Sequence, residues 1–147
     1  MQSPATFSCY VIGETSLVQQ CGELLLARGH RIYGVISPNT AVRQWAAGKN
    51  IPHLPSADNC ESFLQQHAFD YLFSIVNNAV LPDKILRLPK KQAINFHDAL
   101  LPRYGGMHAT SWAIMNREKN HGITWHGMTS RIDAGPILKQ KVITLQN

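Results

Sequence analysis

"INFHDALLPRYGGMH", residues 94–108, is an apolar run that stops on Asn-Phe-His and then turns through Pro102 and the pair Gly105–Gly106. Side chains two apart along an extended chain share a face. From Gln92 to His97 this alternation predicts a buried strand that sends Phe96 into the core and sets Asn95 and His97 together on the other face. An amide beside an imidazole, just before a break in structure, is placed for use. Taken alone, the pair is better read as satisfied polar groups at a strand end, and the rest of the chain has to decide.

Upstream, "FSCYVIG" (7–13) is a buried strand ending in glycine. In "LVQQCGELLLARGH", Leu17, Val18, Cys21, Leu24, Leu25 and Leu26 give an apolar face of helical spacing that Gly29 stops. "RIYGVIS" (31–37) is a second strand, and "TAVRQWAAGKN" a short helix closing at Gly48 with Ala41, Trp45 and Ala46 as its buried side. Asn59 caps a helix that carries Phe63 and Leu64 inward. "FDYLFSIV" (69–76) is another buried strand, and "LPDKILRLP" a brief helix.

Downstream, Thr110 to Met115 reads as a helix start in which Trp112 and Ile114 supply apolar bulk. His121 to Met128 alternates as a strand, Ile123 and Trp125 on one face, Thr124 and His126 on the other. The chain turns at Arg131–Pro136, and "ILKQKVITL" is the final strand. Strands alternating with helices indicate an α/β fold class, Rossmann-like, with a mostly parallel sheet flanked by helices. No repeat, low-complexity tract or linker interrupts it, so residues 1–147 are expected to form a single domain.

The composition, 44% hydrophobic and 16% charged, is that of an ordinary globular protein. No apolar stretch approaches membrane-spanning length, and the first residues lack the pattern of a signal peptide, so a cytoplasmic protein without a membrane partner is expected. Cys9, Cys21 and Cys60 are odd in number and widely spaced, which fits reduced structural thiols and neither zinc site nor disulfide. The net charge of +5 comes from scattered basic residues not interleaved with aromatics. That suits an anionic small molecule as well as nucleic acid and does not discriminate.

In parallel α/β sheets ligands bind beyond the carboxyl ends of the strands. Three segments are expected to meet there: the Gly13 loop, the stretch Asn77–Val80, and Asn95 with His97. The first loop lacks Gly-x-Gly-x-x-Gly spacing, and Glu14 would repel a pyrophosphate, so a dinucleotide site is rejected.

The ordered motifs Asn95-Phe96-His97, Leu100-Leu101-Pro102-Arg103-Tyr104 with Gly106, Trp112-Ala113-Ile114, His121-Gly122-Ile123-Thr124 and Asp133-Ala134-Gly135-Pro136-Ile137 together resemble the 10-formyltetrahydrofolate-dependent formyltransferases. The dense match covers residues 94–138. Family members act on methionyl-tRNA, glycinamide ribonucleotide, amino sugars, or the aminoacyl groups of nonribosomal peptide synthetases, whose attached formylation domains "HATSWA" and "HGITWH" resemble most.

The resemblance implies a formyltransferase catalytic core with a catalytic trio of Asn95, His97 and Asp133. An amine attacks the formyl carbon. Asn95 and His97 donate to the oxyanion, His97 passes a proton to the departing folate nitrogen, and Asp133 takes the amine proton through water. The resemblance also implies 10-formyltetrahydrofolate as co-substrate and no metal. Its site would use Asn78, Val80 and Leu81 from one stretch and Ile132, Ala134 and Gly135 from another, with His126 as a secondary candidate. Val80 and Leu81 serve equally well as plain core. His108 is an acceptor-side possibility, and the Leu101–Pro102 bond is a candidate cis peptide.

The acceptor is expected to be an amine carried on a carrier protein, an amino sugar, or an aminoacyl-tRNA, the last being the one nucleic-acid partner. Gly13-Glu14-Thr15-Ser16 stands where relatives acting on glycinamide ribonucleotide have a glycine-rich phosphate loop, and its carboxylate argues against a phosphorylated acceptor bound there. The chain ends just after its last strand, so a piece of a longer protein, incomplete at its C-terminus, is expected. The rivals are a formyltetrahydrofolate deformylase, a metal enzyme built on His97, His108, His121, His126 and Asp133, and an inactive folate-binding or carrier-docking module.

Overall fold

The computed structural model describes residues 4–146. Its contacts divide at Ala93/Ile94 into two compact units, taken in turn.

The first unit runs β1 (Ser8–Gly13), α1 (Leu17–Ala27), β2 (Arg31–Ile36), α2 (Thr40–Gly48), β3 (His53–Leu54), α3 (Glu61–Leu64), β4 (Tyr71–Ile75) and α4 (Asp83–Leu86). Its strands lie in the order β3-β2-β1-β4, every pair parallel. β1 is central, which explains why Cys9, Tyr10, Val11 and Ile12 are apolar without alternation: both faces are covered. Burial, helped by the Asp70 charge, pushes the Cys9 thiol up to about 12. Tyr10 is fully buried and its hydroxyl donates to the Phe63 carbonyl at 3.1 Å. Glycine is required at the end of β1, because a Cβ on Gly13 would overlap the Ile75 carbonyl oxygen of β4.

Asp70 ties the start of β1 to the turn before β4. Its Oδ2 accepts from the Ser8 amide at 2.9 Å. That bond, assisted by Lys90 and Lys91, holds the carboxyl below the usual range.

Three expectations need correction here. On α2 the inward residues are Val42 and Ala46; Ala41 is exposed and Trp45 half-buried, its indole donating to Glu23 at 2.8 Å. On α1 the apolar stripe is too wide for the surface it covers: Val18 and Gly22 are buried while Leu24 is 60% exposed. Asn59 does not cap α3. It adopts a positive φ of 56°, and Cys60 occupies the cap position without a side-chain bond.

The second unit begins within β5 (Gln92–His97) and continues through α5 (Ala109–Met115), β6 (Asn120–Gly127) and β7 (Ile137–Thr144). β5, β6 and β7 pair antiparallel, so the parallel arrangement stops at this end of the sequence. The register sets Asn95 opposite His126, Phe96 opposite Trp125 and His97 opposite Thr124. Phe96 and Trp125 meet edge to face at 5.3 Å on one side. Both are only half-buried, whereas His97 on the other side is 6% exposed, so the polar face of this strand is the more deeply buried one. Trp112 and Ile114, expected as apolar bulk, are 51% and 63% exposed; α5 buries the small residues Ala109 and Ala113 instead. The Leu101–Pro102 peptide is cis.

Candidate active site

Antiparallel pairing of β5 with β6 makes the site, because directly opposed residues on one face approach within side-chain reach. Asn95 Nδ2 lies 3.2 Å from His126 Nε2. The other nitrogen of that ring, Nδ1, is 2.9 Å from the Gly127 carbonyl oxygen. A carbonyl only accepts, so Nδ1 carries the proton of the neutral ring, and Nε2 receives one of the two amide hydrogens of Asn95. Among the described residues nothing accepts the second hydrogen of Asn95. His126, only 2% exposed, therefore holds the amide oriented.

His97 is fixed by the same logic. Its Nε2 is 2.7 Å from the Tyr104 carbonyl oxygen and must donate to it. Its Nδ1 faces Asp133 Oδ2 at 3.6 Å. Asp133 stands between the two rings, with Oδ1 3.4 Å from His126 Nε2. Its Oδ2 also accepts the Gly106 amide at 2.7 Å. The carboxylate is one-tenth exposed.

Two local features deliver Asp133 there. It adopts a left-handed φ of 52°, a conformation Asp tolerates better than most residues. The turn that carries it lies hard against the end of β6: a Cβ on Gly135 would overlap the Gly127 carbonyl oxygen, and the Gly127 amide donates to Pro136 at 2.8 Å. Tyr104, with φ 57°, and His108, with φ 61°, are also left-handed; such conformations cost on the order of 1–3 kcal/mol and persist only where neighbours impose them. Thr124, fully buried on the same face of β6, donates to the Ala99 carbonyl at 2.6 Å and accepts from the Leu101 amide at 3.2 Å. It thereby anchors the loop that follows His97.

The trio of Asn95, His97 and Asp133 thus falls within one small constellation. His126, expected beside the folate, is bonded to Asn95 and faces Asp133. Ile132 is 69% exposed and Ala134 exposed, on either side of Asp133. In the first unit, Val80 is 76% exposed and Leu81 is 7% exposed, so Val80 presents apolar surface and Leu81 is interior. Asn78 is engaged by Glu14, whose two carboxylate oxygens accept its backbone amide and its side-chain amide, each at 2.9 Å. The Gly13 loop and the Asn77–Val80 stretch do therefore meet. His108 makes no side-chain cap bond at the start of α5. His121 is bonded to Thr110 at 3.2 Å. Among the described residues no group of three or more His, Cys, Asp or Glu is arranged to hold a metal. Cys9, Cys21 and Cys60 are free thiols.

Sequence reasoning missed the parts that act through the backbone. The Tyr104 carbonyl and the Gly106 amide carry no residue-type signature at all.

The chain matches the formyl transferase family over residues 35–147. It is 38% identical over 98 residues to the Bifunctional polymyxin resistance protein ArnA of Wigglesworthia glossinidia brevipalpis, covering 67% of this chain and 14% of that protein. It is 32% identical over 148 residues to a Methionyl-tRNA formyltransferase of Alkaliphilus oremlandii, covering 89% of this chain and 48% of that protein. The chain thus spans about half or less of the length of these curated relatives.

Among solved structures, the phosphoribosylglycinamide formyltransferase of Anaplasma phagocytophilum superposes with a TM-score of 0.84 at 23% identity, covering 97% of this chain and 74% of that one. A formyltetrahydrofolate deformylase of Pseudomonas syringae pv. tomato superposes with the same TM-score and identity, covering 97% of this chain and 53% of that one. These likenesses establish the α/β fold, and the family match establishes the lineage: the chain belongs to the formyl transferase family.

Proposed function

We propose that this chain transfers the formyl group of 10-formyltetrahydrofolate to an acceptor amine, using Asn95, His97 and Asp133. The observation that carries the reading is the set of contacts joining Asn95, His126, Asp133 and His97, in a chain of this family. In the reaction the amine nitrogen bonds to the formyl carbon and the bond from that carbon to N10 of the folate breaks. A proton leaves the amine and one is delivered to N10.

Each residue suits one part of that exchange. The free N–H of Asn95 can donate to the oxyanion, and an oxyanion donor of this kind is worth about 10²–10³ in rate. His97 has Nε2 committed to the Tyr104 carbonyl, so Nδ1 is the nitrogen left for the reacting atoms. As a carboxylate, Asp133 can stabilise the protonated imidazole of His97, whose Nδ1 proton passes to N10, and Asp133 then takes the amine proton through water. Taken each within its own unit, Val80 and Ile132 present a large apolar side chain to solvent, which suits contact with a flat pterin, whereas Leu81 is interior.

The acceptor is an amine on a carrier protein, an amino sugar or an aminoacyl-tRNA. Glu14 supports an acceptor without a phosphate at the first loop, since its carboxylate, held by Asn78, sets a negative charge there. The second reading is hydrolysis, with water in place of the amine, favoured by the equal likeness to the deformylase fold. Release of tetrahydrofolate measured by absorbance separates them. Turnover that requires one amine supports the transferase, and turnover in buffer alone supports the deformylase. Silence from a folded protein that binds folate leaves a binding module and refutes catalysis.

A further inference from the structure

Tyr104 controls His97 through a backbone atom, so whatever holds Tyr104 holds the catalytic imidazole. Its left-handed φ of 57° aims the carbonyl oxygen at His97 Nε2. The side chain is gripped from both sides of its hydroxyl. The phenol donates to Glu118 Oε1 at 2.6 Å and accepts from Asn116 Nδ2 at 2.9 Å, which uses the donor and an acceptor site of that oxygen. Glu118 Oε1 also takes Arg103 at 2.5 Å, and the same guanidinium lies 5.3 Å from the centre of the Tyr104 ring. Glu118 is itself anchored, its amide donating to the Ala113 carbonyl near the end of α5 at 3.0 Å.

We propose that Glu118 is a positioning residue that acts through Tyr104 to fix the tautomer and orientation of His97. The chain of contact runs from the Glu118 carboxylate to the Tyr104 hydroxyl, along the strained Tyr104 backbone, and from its carbonyl to Nε2. Its effect is to keep the proton of the neutral ring on Nε2 and to turn Nδ1 toward Asp133 and the substrate. The tyrosine hydroxyl bond and the Arg103 charge hold the Glu118 carboxyl below its ordinary range, which keeps it an acceptor at neutral pH. The consequence for catalysis rests on the proposed role of His97; the structural part does not.

The test therefore reads both. Imidazole ¹⁵N–¹H correlation spectra at pH about 9, above the ordinary imidazole range, report which ring nitrogen is protonated. In the wild-type chain His97 should carry its proton on Nε2 and His126 on Nδ1. In Tyr104→Phe and Glu118→Ala, His97 should move to a mixture of tautomers while His126, held by Gly127, stays unchanged as an internal control. Where the wild type turns over, kcat should fall about tenfold to a hundredfold with KM for the folate unchanged, as for a misplaced reacting group, and Glu118→Asp should restore part of it. Tautomer shifts without any wild-type turnover would uphold the positioning and sink the proposed function instead. His97 remaining on Nε2 in both variants would overturn the inference, and so would a joint change of His97 and His126 in the milder variant, Tyr104→Phe.

Discussion

Thr124→Val is the substitution whose cost follows most directly from the site's construction. Valine has nearly the shape of threonine and the same preference for a strand, so neither packing nor backbone should change. Only the hydroxyl is lost. That hydroxyl donates to the Ala99 carbonyl, accepts from the Leu101 amide, and accepts from Gln140 at 3.0 Å. Gln140 keeps its second bond, to the Leu101 carbonyl, so its loss is minor. Ala99 and Leu101 are 0% and 5% exposed, leaving their freed backbone groups no route to water.

Two orphaned buried groups at about 1–3 kcal/mol each predict a loss of about 2–6 kcal/mol. A domain of ordinary stability has only about 5–15 kcal/mol in total, so the effect is large for one oxygen atom. Urea unfolding is the assay. The midpoint should fall with the slope unchanged, since the surface exposed on unfolding is the same. Thr124→Ser, which keeps the hydroxyl and loses a methyl, should cost about 1 kcal/mol. A valine variant within about 0.5 kcal/mol of wild type, the range typical of surface changes, would refute the reasoning.

Gly135→Ala should abolish activity while folate-independent structure in residues 4–93 survives, because the added Cβ meets the Gly127 carbonyl and displaces the turn that carries Asp133; activity with circular dichroism checks this. Acid stability should depend on Asp70. Its folded pKa is depressed, chiefly by the Ser8 amide bond, so its contribution is fully present above the unfolded carboxylate pKa and is lost as pH falls through the folded value. Melting temperatures measured down from neutral pH should therefore fall more steeply on the acid side for wild type than for Asp70→Asn.

The readable part of this chain was the part where side chains act as themselves. The ends of β1 and β5 follow from apolar runs that stop on Gly13 and His97, whereas Asn95, His97 and Asp133 were nominated by the resemblance of the ordered motifs, their amide, imidazole and carboxylate suiting the chemistry it implies. Pairing direction was not legible: β6 alternates the same way whether parallel or antiparallel to β5, yet antiparallel register alone sets His126 against Asn95. Trp112 and Ile114 misled because residue type suggests burial, whereas α5 packs through Ala109 and Ala113. Tyr104 and Gly106 were invisible because they act through a carbonyl and an amide that every sequence position possesses.

The central claim is that Asn95, set by His126 and working beside His97 and Asp133, stabilises the oxyanion of formyl transfer. The most direct measurement is tetrahydrofolate release from 10-formyltetrahydrofolate by wild type and Asn95→Ala, side by side, across carrier-bound aminoacyl groups, methionyl-tRNA, amino sugars and buffer. The account predicts turnover with one amine and a loss of about 10²–10³ in kcat for the alanine variant, the worth of one oxyanion donor. Equal turnover by the two proteins would contradict it.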